Sequence, residues 1–142
     1  MSEGGTSRSD RVILDEAVIS IYHELTDGSS IEQAPFRTLK DVFMLAVVLG
    51  YRRGVSRPVP ASSRHSIRKD VFSENDYLLL KAIAIAATGD VEVLMNQSEI
   101  LSIAEQYAQA GIHDVKADLL EQAGRPLWNI IALLFERVDT RI

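Results

Sequence analysis

The stretch from Phe36 to Gly54 decides the fold, and it reads FRTLKDVFMLAVVLGYRRG. From Val42 to Leu49 it contains no polar side chain. A helix that is apolar on every side cannot lie on a protein surface, so other helices or a partner chain must cover it. The sequence therefore predicts a helical protein built around a buried helix over residues 39–51.

Both ends of this helix carry boundary signals. Thr38 and Asp41 resemble a capping pair at a helix N-terminus, and an acidic side chain there suits the positive end of the helix dipole. Gly54 is placed to end the helix in the left-handed conformation. Arg52 and Arg53 then lie at its negative end, where cations are mildly stabilising.

Two further segments are apolar on more than one face. Residues 77–87 contain one charged side chain, Lys81, and follow a helix start at residues 73–76. The last helix begins at Pro126, a residue that suits the first turn of a helix. Three such helices have more apolar surface than the core of one small domain can bury. Either the bundle is layered, or part of this surface is buried against another chain.

The rest of the chain completes a single all-α domain of about six helices over residues 10–142. Residues 1–9 are rich in glycine and serine and are predicted to be a disordered tail. Ser9 or Asp10 caps a first helix that runs to about Leu25. No segment gives a convincing strand.

The C-terminal half contains further helix boundaries. Asp90 caps a short turn, and Ser98 caps a helix that ends at Gly111 in the left-handed conformation. Asp114 starts another helix, which Gly124 ends. These signals predict two separate helices between residues 98 and 124.

Composition limits the class of protein. The 142 residues are 46% hydrophobic and 25% charged, which is typical of a globular domain. The absence of cysteine excludes disulfides, thiolate catalysis and cysteine-based zinc sites. The N-terminus has no signal-peptide pattern, and the longest apolar run is far short of the roughly 20 residues that span a bilayer. We expect a soluble, cytoplasmic protein that does not contact membranes.

Charge is distributed unevenly along the chain. The formal net charge is −5, yet six of the 15 basic residues and none of the 20 acidic residues fall between residues 52 and 69. These six, the candidate nucleic-acid-binding residues, are Arg52, Arg53, Arg57, Arg64, Arg68 and Lys69.

The surrounding stretch, residues 52–72, contains Pro58 and Pro60 and is predicted to be a basic surface connection. It is either a solvated loop, a contact for phosphates or a contact for an acidic protein surface. Tyr51 and Phe72 only flank it, so the sequence does not support base stacking or sequence-specific readout.

Catalytic motifs are hard to find. The three histidines stand apart, and no His-Glu-x-x-His pair, phosphate-binding glycine loop or nucleophile elbow is present. A metal-dependent nuclease requires converging carboxylates, whereas the acidic residues here are scattered. We therefore predict no enzyme activity, no cofactor and no metal site.

Three stretches carry a resemblance to a known family. They are Phe36-x-Thr38-x-Lys40-Asp41 continuing through Ala46 and on to Gly54, then Ile83-Ala84 with Thr88-Gly89-Asp90, then Ile103 to Ile112. This pattern is similar to a family of small proteins associated with bacterial DNA phosphorothioation, the Dnd-system-associated proteins of the fourth type. The resemblance implies a role in defence against foreign DNA, beside enzymes that place or recognise sulfur in the DNA backbone. It supplies no catalytic residues.

Two hypotheses follow. The first is a non-catalytic accessory subunit that binds other defence-system proteins, or a second copy of itself, through its excess apolar helix surface. The alternative is a small DNA-binding or regulatory module that uses the six basic residues between positions 52 and 69.

Overall fold

A computed structural model describes residues 10–141, with side chains described through residue 135. The predicted tail over residues 1–9 lies outside the described residues. The elements are β1 (Arg11–Leu14), α1 (Ile19–Thr26), α2 (Leu39–Arg53), β2 (His65–Arg68), α3 (Glu74–Thr88), α4 (Gln97–Val115) and α5 (Pro126–Arg141). Short 3-10 turns occupy Glu16–Val18, Lys69–Val71 and Val91–Met95, and a π-helical turn occupies Lys116–Leu120. The predominantly helical fold predicted from the sequence is confirmed.

Helix α2 forms the centre of the molecule, as its apolar run predicts. The Thr38 hydroxyl accepts a hydrogen bond from the backbone N–H of Asp41, and Gly54 ends the helix with a left-handed φ of 72°. Val42 and Phe43 are completely buried on it. The covering comes from this chain itself, since α2 packs along the length of α4 and also against α1.

Two glycines let α2 and α4 cross in close contact. A Cβ atom at Gly111 would overlap the carbonyl oxygen of Ala46 and lie 2.7 Å from the nitrogen of Gly50. A Cβ atom at Gly50 would in turn overlap the carbonyl oxygen of Tyr107. Only hydrogen fits at these positions, because the two backbones touch there.

This crossing overturns two sequence predictions. Gly111 is not a left-handed helix end, since α4 continues through it to Val115. Asp114 does not start a new helix either, because it lies inside α4, which passes directly into the π-helical turn. The cap at the start of α4 is Asn96, whose side chain accepts from the Glu99 N–H, and not Ser98.

The prediction of a first helix from residue 9 or 10 is also wrong. Residues 11–14 form β1, which pairs antiparallel with β2 so that Arg11 faces Arg68 and Leu14 faces His65. Val12 and Leu14 are buried while Arg11 and Ile13 are only half-buried, which is the alternation of a strand. Helix α1 therefore begins only at residue 19.

A buried acid fastens this two-stranded ribbon to the helices. Glu105 of α4 is 3% exposed. Its carboxylate accepts a hydrogen bond of 2.7 Å from the backbone N–H of Ile13. This N–H belongs to a ribbon edge, and a buried N–H needs a partner. The contact therefore stabilises the edge of β1 against α4.

Among the described residues, contacts between α5 and the body of the protein lie in the first turns of that helix. It begins at Pro126 as predicted, and Gly124 before it has the left-handed φ of 99°. The Leu127 N–H donates to the Glu32 carbonyl at 3.0 Å, and Arg125 forms an ion pair with Glu32. In the part of the chain that the structure describes, no helix is long and apolar enough to cross a membrane.

Candidate functional site

The six basic residues of the sequence prediction lie on several different elements. Arg52 and Arg53 occupy the last turn of α2. Arg57 and Arg64 lie on the exposed connection to β2, Arg68 ends β2, and Lys69 begins the 3-10 turn after it. The stretch over 52–72 is therefore not purely a surface connection, because it includes β2 and two buried side chains, Ile67 and Phe72.

Two of these residues, Lys69 and Arg52, lie near opposite ends of α2. The Lys69 ammonium lies 4.4 Å from the ring centroid of Tyr77. The neighbouring Asp76 binds Lys40, in the first turn of α2, at 2.7 Å. Arg52 is more than three turns further along that helix, about 18 Å from Lys40 at a rise of 1.5 Å per residue. The run is continuous in the sequence, but its first and last members, Arg52 and Lys69, lie near opposite ends of α2.

Ion pairs divide the six residues further. Arg53 pairs with Asp114, and Arg68 pairs with Asp70 at 3.1 Å. The guanidinium groups of these two are therefore partly neutralised. Three others are exposed and form no ion pair with any described residue: Arg52, Arg57 and Arg64. These three arginines could therefore bind a phosphate or a carboxylate of a partner.

In the folded protein, the aromatic ring of Tyr77 contacts the basic side chain of Lys69. Lys69 and Lys81 both place their ammonium groups over Tyr77, at 4.4 and 5.2 Å from the ring centroid. Partial burial raises the pKa of the Tyr77 hydroxyl. Sequence reasoning missed Tyr77, although its spacing of four residues from Lys81 indicates that both lie on one face of α3.

A mostly buried ion pair anchors this end of α2 to α3. Lys40 lowers the pKa of the Asp76 carboxyl through its hydrogen bond, and the backbone N–H of Ser73 acts in the same direction. Asp76 raises the pKa of Lys40 in return. Asp76 also completes a capping box with Ser73 at the start of α3. Lys40 is thus a structural cation and is already satisfied.

The acidic and histidine side chains do not converge. Within residues 10–135, no group of three His, Cys, Asp or Glu side chains could hold a metal ion. His23 lies at the surface, 3.3 Å from Asp27, and His113 is exposed on α4. A cleft of about 820 Å³ lies between residues 118–123 and α5.

Large apolar side chains are exposed on the outward face of α3 and on the turn after it. Leu78 is 62% exposed and Leu79 is 40% exposed, and Met95 on the following turn reaches 84%. We call this area the α3 surface; its members are Leu78, Leu79, Ala82, Ala86, Val91, Leu94 and Met95. A second exposed area lies on α5, at Trp128, Leu134 and Phe135.

The fold and the surfaces define a class of protein: a small helical domain with exposed apolar helix faces and exposed basic side chains. Comparison with protein families is more specific. The chain belongs to the family of DNA sulphur modification system-associated protein 4, whose family model matches residues 11–141. This match confirms the resemblance predicted from the sequence and extends it over nearly the whole chain. No curated protein and no solved structure matches the chain.

Proposed function

We propose that this protein is a non-catalytic accessory subunit of a DNA sulphur modification system with a role in defence against foreign DNA. It acts by binding other proteins of that system through the α3 surface. The observation that carries the proposal is the exposure of Leu78, Leu79 and Met95 on neighbouring elements of a protein whose family is system-associated.

The α3 surface has the chemistry of a protein-binding face. Along α3, positions 78, 79, 82 and 86 fall within about 100° of arc at 3.6 residues per turn. All four are exposed, and none is charged. Complete burial of one leucine side chain contributes about 1.5–3 kcal/mol, so covering Leu78 and Leu79 contributes substantially to a binding free energy. Exposed apolar side chains grouped on one face of a helix are typical of interaction sites.

Co-purification tests this proposal. Tagged protein is produced together with the other proteins of the same modification system, and the recovered proteins are identified and quantified. The variant Leu78→Glu/Leu79→Glu should reduce recovery by about tenfold or more, because each glutamate would have to be desolvated on binding.

The matched control places the same two charges elsewhere. Ser20→Glu/Gln33→Glu changes two exposed positions outside the α3 surface and should leave recovery unchanged. Failure of the unaltered protein to recover any system protein contradicts the proposal. Equal recovery by both variants contradicts the assignment to the α3 surface.

A second candidate function is DNA binding, and the unpaired arginines favour it. Arg52, Arg57 and Arg64 are exposed and form no ion pair with a described residue. Arginine side chains that contact phosphates give affinity that is independent of sequence and sensitive to salt.

A salt series with a short duplex, with and without backbone sulfur, tests DNA binding. Arg52→Gln/Arg57→Gln should weaken binding and lower the magnitude of the log–log salt slope by about 1.8, if each arginine neutralises one phosphate. Arg53→Gln/Arg68→Gln removes the same number of charges, but these arginines already have acidic partners. It should therefore have the smaller effect. Equal effects, or no binding at low salt, would overturn this candidate.

A further inference from the structure

An exposed aromatic ring lies at the C-terminal end of α2, where the basic stretch begins. Tyr51 is 38% exposed in the last turn of that helix. Its ring centroid lies 5.5 Å from that of Tyr107 on α4, and the two ring planes are nearly perpendicular, at 88°. In an edge-to-face pair of this kind, Tyr107 covers at most one face of the Tyr51 ring. The contact therefore orients Tyr51 at the surface without enclosing it.

Two arginines lie beside this pair of rings. Arg52 follows Tyr51 directly in α2. The backbone N–H of Arg57 donates to the carbonyl of Gln106 at 3.0 Å, which places this arginine next to Tyr107. Both arginines are exposed and form no ion pair with a described residue. The fold thus brings two available cations and an aromatic pair to one place.

A small cleft of about 230 Å³ adjoins the aromatic pair. Tyr107, Gln106 and Ser56, the residue before Arg57, all line it. Glu99 lines it as well, but it lies eight residues before Tyr107, about 12 Å away along α4 at 1.5 Å per residue. The arginines and the aromatic pair therefore share one end of the cleft, and the acidic side chain lies toward the other end.

We propose that Tyr51, Arg52 and Arg57 form a site for single-stranded DNA. An unpaired base stacks on the ring of Tyr51, and the arginines contact the phosphates beside that base. This inference rests on the second candidate function, DNA binding, and names the form of DNA that is bound. Proteins that bind single strands combine cations along the backbone with aromatic rings on which bases stack. A base in a duplex is already stacked on its neighbours, so Tyr51 adds no affinity for a duplex.

The family and the fold together support a nucleotide as the ligand. In the sequence Tyr51 only flanks the basic stretch, which gives no support for base stacking. The folded chain returns Arg57 to α4 beside Tyr107, so the ring of Tyr51 has cations nearby on two segments. The association of the family with DNA modification favours DNA over an acidic peptide. Because every base has a face that can stack, we expect no sequence preference.

Fluorescence anisotropy with the full chain tests the proposal. The probes are a short labelled single strand and the duplex of the same sequence, both at low salt. The unaltered protein should prefer the single strand. Tyr51→Leu should weaken single-strand binding by about fivefold or more, the scale on which stacking of one base contributes, and should leave duplex binding unchanged. Tyr51→Phe keeps the ring and should bind as the unaltered protein does, while circular dichroism reports whether each variant stays folded.

Two controls separate stacking from general stickiness and from charge. Trp128→Leu removes a ring that is 54% exposed on α5, where residues 126–135 include no charged side chain. It should leave binding of both probes unchanged. Unlabelled single strand should displace the labelled strand far better than polyglutamate does. Equal displacement by polyglutamate would mean that the site recognises negative charge alone, which overturns the proposal.

The outcomes also separate this inference from the function on which it rests. Arg52→Gln/Arg57→Gln should weaken binding of both probes, because both present phosphates. Duplex binding that depends on these arginines, without a preference for the single strand or without an effect of Tyr51→Leu confined to it, contradicts the single-strand site and leaves DNA binding standing. An absence of binding to either probe contradicts both. None of these outcomes bears on recovery of system proteins through the α3 surface.

Discussion

Helices α2 and α5 are both rich in apolar residues, but they differ in how deeply those residues are buried. On α2, Val42, Phe43, Ala46 and Val47 are completely buried by the chain itself. On α5, most of the large apolar side chains between residues 126 and 135 remain at least partly exposed. The difference lies in the residues where another helix approaches. α2 has Gly50 at the crossing with α4, whereas the free side of α5 carries aromatic rings.

This comparison shows that hydrophobicity alone does not decide which helix is covered. A glycine at a crossing removes the side chain that would hold two backbones apart, so the contact forms within one chain. On α5, by contrast, bulky side chains such as Trp128 and Phe135 remain more than half exposed. The two regions can be perturbed separately, and the largest effect is expected where the backbones touch.

The largest effect is expected at the crossing of α2 and α4. Gly111→Ala should lower the free energy of unfolding by about 3 kcal/mol, because the added Cβ overlaps the backbone of α2. Helix propensity alone would give a gain of about 1 kcal/mol for the same change. Urea unfolding followed by circular dichroism measures the difference, and an unchanged or raised midpoint would show that the helices can separate without cost.

A control for this variant is Gly89→Ala. Gly89 has a left-handed φ of 69°, and nothing lies within 4 Å of a Cβ placed there. Only backbone strain of about 1–2 kcal/mol is expected. A loss as large as that of Gly111→Ala would mean that the crossing is not special.

The second effect concerns the ribbon edge held by α4. Glu105→Ala should destabilise the protein by about 2–3 kcal/mol, since the partly buried N–H of Ile13 loses its acceptor. Glu105→Gln keeps an acceptor oxygen and should lose less than half as much. Thermal unfolding of the two variants checks this order, and the opposite ranking would count against the hydrogen bond as the cause.

The third effect separates α5 from the core. Asn129 donates to the carbonyls of Leu119 at 2.9 Å and Gly124 at 3.4 Å. Asn129→Ala should accelerate amide hydrogen exchange of residues 127–135 by about fivefold, for a loss of about 1 kcal/mol. Exchange in α2 should not change. The matched control, Asn96→Ala, removes the cap of α4 and should affect only the first turn of that helix.

The smallest effect is the response of the Lys40–Asp76 pair to acid. The native pKa of Asp76 is lowered below its ordinary value of 3.8, first by the Lys40 hydrogen bond. The carboxylate therefore contributes its full stability above about pH 4, and the contribution is lost as the pH falls through the lowered native pKa. About 1 kcal/mol is at stake for this pair.

Urea unfolding at a series of pH values measures this response. Lys40→Met should flatten the acid limb of the stability curve. Lys81→Met removes a lysine that has no ion pair with a described residue and should leave that limb unchanged. An identical acid limb in Lys40→Met and the unaltered protein would exclude the pair as its source.

Boundaries encoded by neighbouring residues were predictable, because a cap needs only local chemistry. Thr38, Asp90 and Gly54 act as the sequence indicates. The prediction that a helix ends at Gly111 was wrong. A glycine needed for close helix packing looks the same in the sequence as a glycine that ends a helix. Strand β1 was missed because four residues are too few to establish an alternation of period two.

The candidate sites were predictable only in part. The basic residues could be counted from the sequence, but the placement of Arg52 and Lys69 near opposite ends of α2 depends on how the chain returns through β2. The pairing of Arg53 with Asp114 and the stacking of Lys69 on Tyr77 join residues that are not neighbours in the sequence. Likewise, the sequence shows that α3 and α5 are rich in apolar residues. It does not show which face of each helix stays exposed in the folded protein.

The position of Trp128 has an optical consequence. It is the sole tryptophan in the chain, and it is more than half exposed on the free side of α5. Its intrinsic emission should therefore lie toward the red and be accessible to iodide quenching. A blue shift with loss of quenching would report coverage of this one helix face in unlabelled protein, without a signal from the buried core.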